Sequence, residues 1–254
     1  MPRYALRVEY HGGGFVGWQR QDAGVSVQSA LEDAAAHLAR AEPPALAAAG
    51  RTDAGVHAEA QVAQLDLDRE MPPDKLRDAL NFHLRPHAIS ILVAAIAPEG
   101  WHARFSAIGR GYRYRILNRS APPALEAGLV WHVKLPLDAS AMQVTAQALC
   151  GRHDFTSFRA ASCQAASPIR TLDRLDVSRQ GGEIVIVAAA RSFLHHQVRN
   201  MVGTLKLVGE GRWSPGQVVA ALEARARAAA GPTAPPQGLC LTTVRYPPEL
   251  DPWA

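Results

Sequence analysis

Apolar residues in this chain come in short runs, and the longest candidates, such as Ile184 to Ala190, are strand-sized. A membrane-spanning helix needs about 20 consecutive apolar residues, so no span is expected. Short runs broken by charges and turn residues call instead for small helices and strands that share a core. The chain has 254 residues, 48% of them hydrophobic, enough for one large domain or two small lobes. Its first residues, MPRYALRVEY, show no apolar signal region and already alternate like a strand. The expectation is a soluble, cytoplasmic protein.

In the first half, Arg3 to Tyr10 places Tyr4, Leu6, Val8 and Tyr10 on one face and Arg3, Arg7 and Glu9 on the other. A glycine loop, HGGGFVGWQRQ, follows. Ser26 can cap a helix running to about Arg40, with Val27, Leu31, Ala34 and Leu38 on its buried face. Ala63, Leu65 and Leu67 alternate with Gln64, Asp66 and Asp68 as a half-exposed strand. Asp74 is expected to cap a short helix carrying Leu76 and Leu80, and Ile89 to Ala97 reads as a buried strand. The order β-α-β-α-β predicts an α+β lobe.

The second half is similar in type. Strands are predicted at Tyr112–Leu117 and Leu129–Leu135, then a helix from Asp138 to Cys150 stopped by Gly151. Ile169–Ser178 and Glu183–Arg191 flank Gly181-Gly182, a hairpin signal. His195 to Val208 is amphipathic, Ser214-Pro215 opens another helix, GPTAPPQG reads as a linker, and Leu239–Tyr246 as the last strand. Expected boundaries are 1–108 and 109–247 for the two lobes, with 248–254 as a loose tail.

The net charge is +4 with a pI near 9.2, and its distribution says more. Trp101 to Ser120 holds five arginines and no acid, and Ala188 to Val208 is also acid-free while carrying Arg191, His195, His196, Arg199 and Lys206. Such clusters fit an anionic partner. The three cysteines are far apart and imply neither a disulfide framework nor a zinc knuckle. His83 and His87 have helical spacing, but Pro86 breaks the helix that would align them, so no metal is expected.

Gly12, Gly14 and Gly17 match G-x-G-x-x-G after a strand, but no helix opens on these glycines, as a dinucleotide site requires. HGGG is also the form of an esterase oxyanion loop, yet the chain contains no G-x-S-x-G nucleophile. Both readings fail.

The stretch AGRTDAGVHA, residues 49–58, puts Arg51 and Asp53 two residues apart where no core can form. Alone it reads as a turn, with Asp53 bonding its own backbone. Together with HARFSAIGRGYRY at 102–114, DFTSFRA at 154–160, FLHHQVRNMVG at 193–203 and GLCL at 238–241, it resembles the tRNA pseudouridine synthase A (TruA) family. The blocks occur in the family's order, from Tyr10 to about Pro247.

The resemblance implies an enzyme that isomerises uridine to pseudouridine at positions 38, 39 and 40 of the tRNA anticodon arm. It implies two related α+β lobes of ferredoxin-like, RNA-recognition-motif type, with mainly antiparallel sheets joined around a basic cleft. It further implies a homodimer and no cofactor. Asp53 matches the catalytic aspartate; attack at C1′, attack at C6 and removal of the C2′ proton all remain open. Arg51 and Arg199 match site arginines, and a guanidinium near Asp53 would keep it ionised. Tyr112 matches the tyrosine that stacks on the target base and helps remove the C5 proton. Leu239 matches an apolar residue that keeps water from the pocket.

Strand alternation adds Arg110 as a candidate phosphate contact on the face of Tyr112, with Arg113 and Arg115 on the opposite face. His57 is read as a loop-stabilising residue, and His195 and His196 either contact RNA or begin the helix. The chain departs from the family at His11, usually aspartate, and at Arg191, usually asparagine. A non-catalytic RNA-binding protein would explain the arginine clusters but gives Asp53 no task. A glycoside or nucleoside hydrolase would want a second carboxylate, and none stands in comparable context.

Overall fold

The structure is a computed structural model and describes residues 1–39 and 46–254. It is α+β with mostly antiparallel strand pairing and, among the described residues, five α-helices. None of these helices is long and apolar enough to cross a membrane. Contacts divide the chain into two compact units, residues 1–110 with 240–254, and residues 111–239.

Chain order begins with β1 (Arg3–Tyr10), α1 (Val27–Ala36), β2 (Ala47–Ala48), β3 (His57–Asp66), α2 (Pro73–His83) and β4 (Ile89–Ile96). There follow β5 (Gly109–Asn118), β6 (Trp131–Val133), α3 (Ala139–Gln147), β7 (Gly151–Asp154), β8 (Ile169–Gln180) and β9 (Glu183–Ala190). Next come α4 (Gln197–Gly209), α5 (Pro215–Glu223) and β10 (Leu239–Arg245).

In the first unit the strand order is β4-β1-β3-β10, with β2 also on β3. β1 lies antiparallel between β3 and β4, setting Tyr4 opposite Leu65 and Ile96, and Leu6 opposite Ala63 and Ala94. Ser26 caps α1: its side chain accepts from the Ser29 amide while the Ser29 hydroxyl accepts from the Ser26 amide. The helix ends at Ala36, and the expected continuation to Arg40 runs into residues outside the described ones.

Several expectations need correction here. β3 starts at His57, six residues before the apolar alternation, and Gln61 and Gln64 are buried, so the strand is not half-exposed. β4 is an edge strand that leaves Leu92, Val93 and Ile96 exposed, rather than a buried one. Asp74 does not cap α2; Pro72 holds that position, and Asp74 sits in the first turn beside Arg77.

β10 joins the first unit because it pairs in parallel with β3, Cys240 opposite His57 and Leu241 opposite Ala58. Residue order alone would leave it in the second lobe. The chain end follows it: Tyr246 is buried with Ala5, Ala49, Val62 and Trp101, and Trp253 packs on that cluster. The Arg7 guanidinium lies 4.7 Å from the Trp253 ring centre, so the tail expected to be loose is packed.

In the second unit the order is β5-β9-β8-β7, with β6 parallel to β5. β8 and β9 form the expected antiparallel hairpin, closing at Gln180 opposite Glu183. The strand expected over Leu129–Leu135 shrinks to β6. Asp138 caps α3 by accepting from the Ala141 amide. β7 had no apolar signal; Gly151, at φ 99°, opens it. α4 begins at Gln197, after His196 in the left-handed region at φ 61°.

GPTAPPQG is not a free linker. Ala234 donates to the Arg199 carbonyl and Gly231 to the Thr204 hydroxyl, both on α4. Gly203 of α4 lies so close to this segment that a Cβ there would overlap the Pro232 carbonyl.

Candidate active site

Asp53 sits on the loop between β2 and β3, its side chain half-buried. The backbone around it is held at every turn. The Ala49 amide donates to the Val62 carbonyl, and the Gln61 side chain donates to the Gly50 carbonyl at 2.8 Å. Thr52 is buried, its hydroxyl 2.7 Å from the Tyr10 hydroxyl, and its carbonyl accepts from the Trp18 amide. The Val56 amide closes the loop onto the Asp53 carbonyl at 3.1 Å. These bonds fix the backbone from which the Asp53 side chain projects.

The glycine loop at 12–17 supplies the outer side of that frame. A Cβ on Gly12 would overlap the Val56 carbonyl, and one on Gly17 would lie 2.9 Å from the Thr52 oxygen. Gly17 also has φ 106°, which only glycine adopts without strain. These glycines let two backbones meet, and they form a single 3₁₀ turn, Gly12–Gly14, instead of the α-helix that a nucleotide site requires. The Gly12 amide donates to His57 Nδ1 at 3.0 Å, giving His57 the stabilising task expected of it. His11 accepts from the Gly13 amide through its Nδ1, a cap that an aspartate at this position would also make.

Arg110 belongs to the same unit. Its guanidinium donates to the carbonyls of Ala49 at 2.7 Å, Arg104 at 3.0 Å and Ala107 at 3.0 Å. It thereby ties the start of the Asp53 loop to the segment leading into β5. Arg51 is exposed.

The second unit carries the other expected residues. Tyr112, on β5, is half-buried with its ring edge-on to Phe193 at 5.3 Å. Arg199 is half-buried on α4, and its Nε donates to the Ala234 carbonyl at 2.8 Å, so it is not on a purely solvated face. Leu239 is 5% exposed, directly after a close approach at Gly238, where a Cβ would lie 2.6 Å from the Tyr114 ring. The Tyr114 hydroxyl donates to Pro235, and burial pushes its pKa well above the usual tyrosine range, so it remains a protonated anchor. Arg115 pairs with Glu126 and Glu183. Arg191 lies exposed just past β9, and His195 lies exposed ahead of α4.

Sequence reasoning missed Tyr10, Thr52 and Phe193 as supports. Thr52 and Phe193 stand inside the motif blocks, and Tyr10 ends an alternating strand at the glycine loop, so position was the available signal.

A family model described as tRNA pseudouridine synthase matches residues 7–106 and 145–247. The chain is 65% identical over 254 residues to the tRNA pseudouridine synthase A of Acidiphilium cryptum, covering 100% of this chain and 99% of that one. It is 60% identical over 246 residues to the protein of the same name from Paramagnetospirillum magneticum, covering 97% and 96%. With the one from Rhodospirillum centenum it shares 61% over 247 residues, covering 97% and 100%.

Proposed function

The chain belongs to the tRNA pseudouridine synthase family and is an isomerase acting on tRNA, and from that premise we propose that it converts uridine to pseudouridine at positions 38, 39 and 40 of the anticodon arm. The reaction breaks the C1′–N1 glycosidic bond, turns the uracil and joins C5 to the same C1′; the C5 proton leaves and N1 gains one. No atom or electron is gained, so no redox carrier is called for.

Asp53 is the reacting carboxylate, as nucleophile at C1′ or C6 or as base at C2′. The observation that carries this reading is its half-buried side chain on a loop whose backbone is bonded on both sides. Tyr112 stacks on the flipped base, with Phe193 behind it. Leu239 keeps water away, since water would capture the detached sugar. Arg199 contacts the substrate from α4. Arg51, being exposed, meets RNA phosphate in addition to biasing the field at Asp53. Arg110 acts by fixing the Asp53 loop as well as by lending positive charge to the approaching backbone.

The wider reading is a cytoplasmic homodimer of chains with two related lobes around a basic cleft. Light scattering that finds a fully active monomer at micromolar concentration would refute the dimer. The test of the reaction is incubation with unmodified tRNA followed by carbodiimide-dependent primer stops. New stops at positions 38 to 40 are expected; their absence in a susceptible tRNA would defeat the proposal.

A further inference from the structure

We propose that Phe105 is a stacking platform for a base of the RNA substrate, a positioning residue tied to the Asp53 loop; the inference rests on the tRNA reading above. The ring is 77% exposed, although the loop that carries it is tied by hydrogen bonds from its own residues and from Arg3 and Tyr246. Trp101 and Ala103 are fully buried on the inner side of this loop. The Trp101 carbonyl accepts from Arg3 and the Ala103 carbonyl accepts from the Tyr246 hydroxyl at 2.7 Å. The His102 amide donates to the Ser106 hydroxyl and the Ser106 amide to the His102 carbonyl.

His102 completes the turn. Its Nδ1 accepts from the amides of Arg104 at 3.0 Å and Phe105 at 3.4 Å, which requires an unprotonated ring nitrogen. Burial, aided by the charge of Arg3, pushes its pKa below the usual histidine value and favours that form. The imidazole also lies 4.5 Å from the Phe105 ring centre, supporting one side of it.

A phenylalanine held in water forgoes about 1.5–3 kcal/mol of burial. A loose loop would fold such a ring inward; this one is fixed outward. The sequence around the ring suits a polyanion: Arg104 is its neighbour, residues 101 to 120 contain no acid, and Asp66, whose charge reaches His102, is paired with Arg3. Arg110 bonds both the Arg104 carbonyl and the Ala49 carbonyl, so the ring's position is referenced to the loop that carries Asp53. Aromatic rings serve single-stranded bases in this way because every base has a π-face.

The experiment is filter binding of an unmodified tRNA transcript across a salt series, for wild type, Phe105→Ala, Phe105→Tyr and Arg104→Ala. Light scattering and thermal melting are run on each protein. Phe105→Ala should raise Kd about tenfold at every salt concentration, because a lost stack releases no counterions. Phe105→Tyr should restore Kd to within about twofold, since the ring survives. Arg104→Ala should instead flatten the salt dependence by about 0.7–0.9 in slope.

An unchanged Kd for Phe105→Ala, or a loss that tyrosine does not repair, overturns the proposal. So does a loss of mass in light scattering for Phe105→Ala, which would assign the ring to contact with a second copy of the chain. Carbodiimide mapping of the wild type in the same preparation separates the two readings. A tenfold loss without wild-type pseudouridine keeps the platform and rejects the reaction.

Discussion

Gly12 and Gly17 follow β1 in the first unit and Gly181 and Gly182 follow β8 in the second, but what each pair meets differs. Around the first pair the backbone of the Asp53 loop comes so close that a methyl group meets Val56 or Thr52 carbonyl oxygen. Around the second pair an added Cβ meets nothing within 4 Å. Gly181 is needed only for its φ of 60° in the hairpin turn. One pair is fixed by a neighbour and the other by its own backbone. Only the first touches the loop that carries Asp53.

Breaking the first pair should therefore cost both stability and turnover, while the second should cost little of either. Gly12→Ala carries the largest expected effect, because a carbonyl rather than a flexible side chain must move. It should destabilise by about 3 kcal/mol, lowering the melting temperature by roughly 6–12 °C, and depress single-turnover rates even where folded. Gly17→Ala combines a positive φ with its contact on Thr52 and should cost about 2 kcal/mol, again with slowed turnover. Equal rates for the folded variant and the wild type would separate the glycine loop from catalysis.

Tyr10→Phe probes the same frame from the strand side. It leaves the buried Thr52 hydroxyl without its 2.7 Å partner and should cost about 1–2 kcal/mol in chemical denaturation. Gly181→Ala should cost about 1 kcal/mol for the left-handed residue, with turnover unchanged. A Gly181 variant that slows pseudouridine formation at full folding would collapse the contrast between the two pairs.

The sequence revealed features whose cause is local. β1 follows a period of two, interrupted at the buried Ala5, and spans Arg3–Tyr10 as read; Ser26 and Ser214 mark their helices by capping chemistry. Features caused by distant residues were hidden. The early start of β3 is masked by Gln61, a polar side chain in the core whose amide is satisfied by the Gly50 carbonyl. Nothing near Trp253 shows that Arg7 will lie against it. The candidate site behaves likewise. Asp53 and Arg51 stand out through the motif, whereas the glycine brace resembled a nucleotide loop because composition is blind to what approaches it.

The central claim is that a braced loop presents Asp53 as the reacting group. Asp53→Asn tests it most directly, since asparagine is nearly isosteric but is neither an effective nucleophile nor a base at neutral pH. The measurement is single-turnover pseudouridine formation at tRNA concentrations that saturate both proteins, with binding measured alongside. The account predicts wild-type-like folding and tRNA affinity with no detectable product. Turnover close to wild type would contradict it.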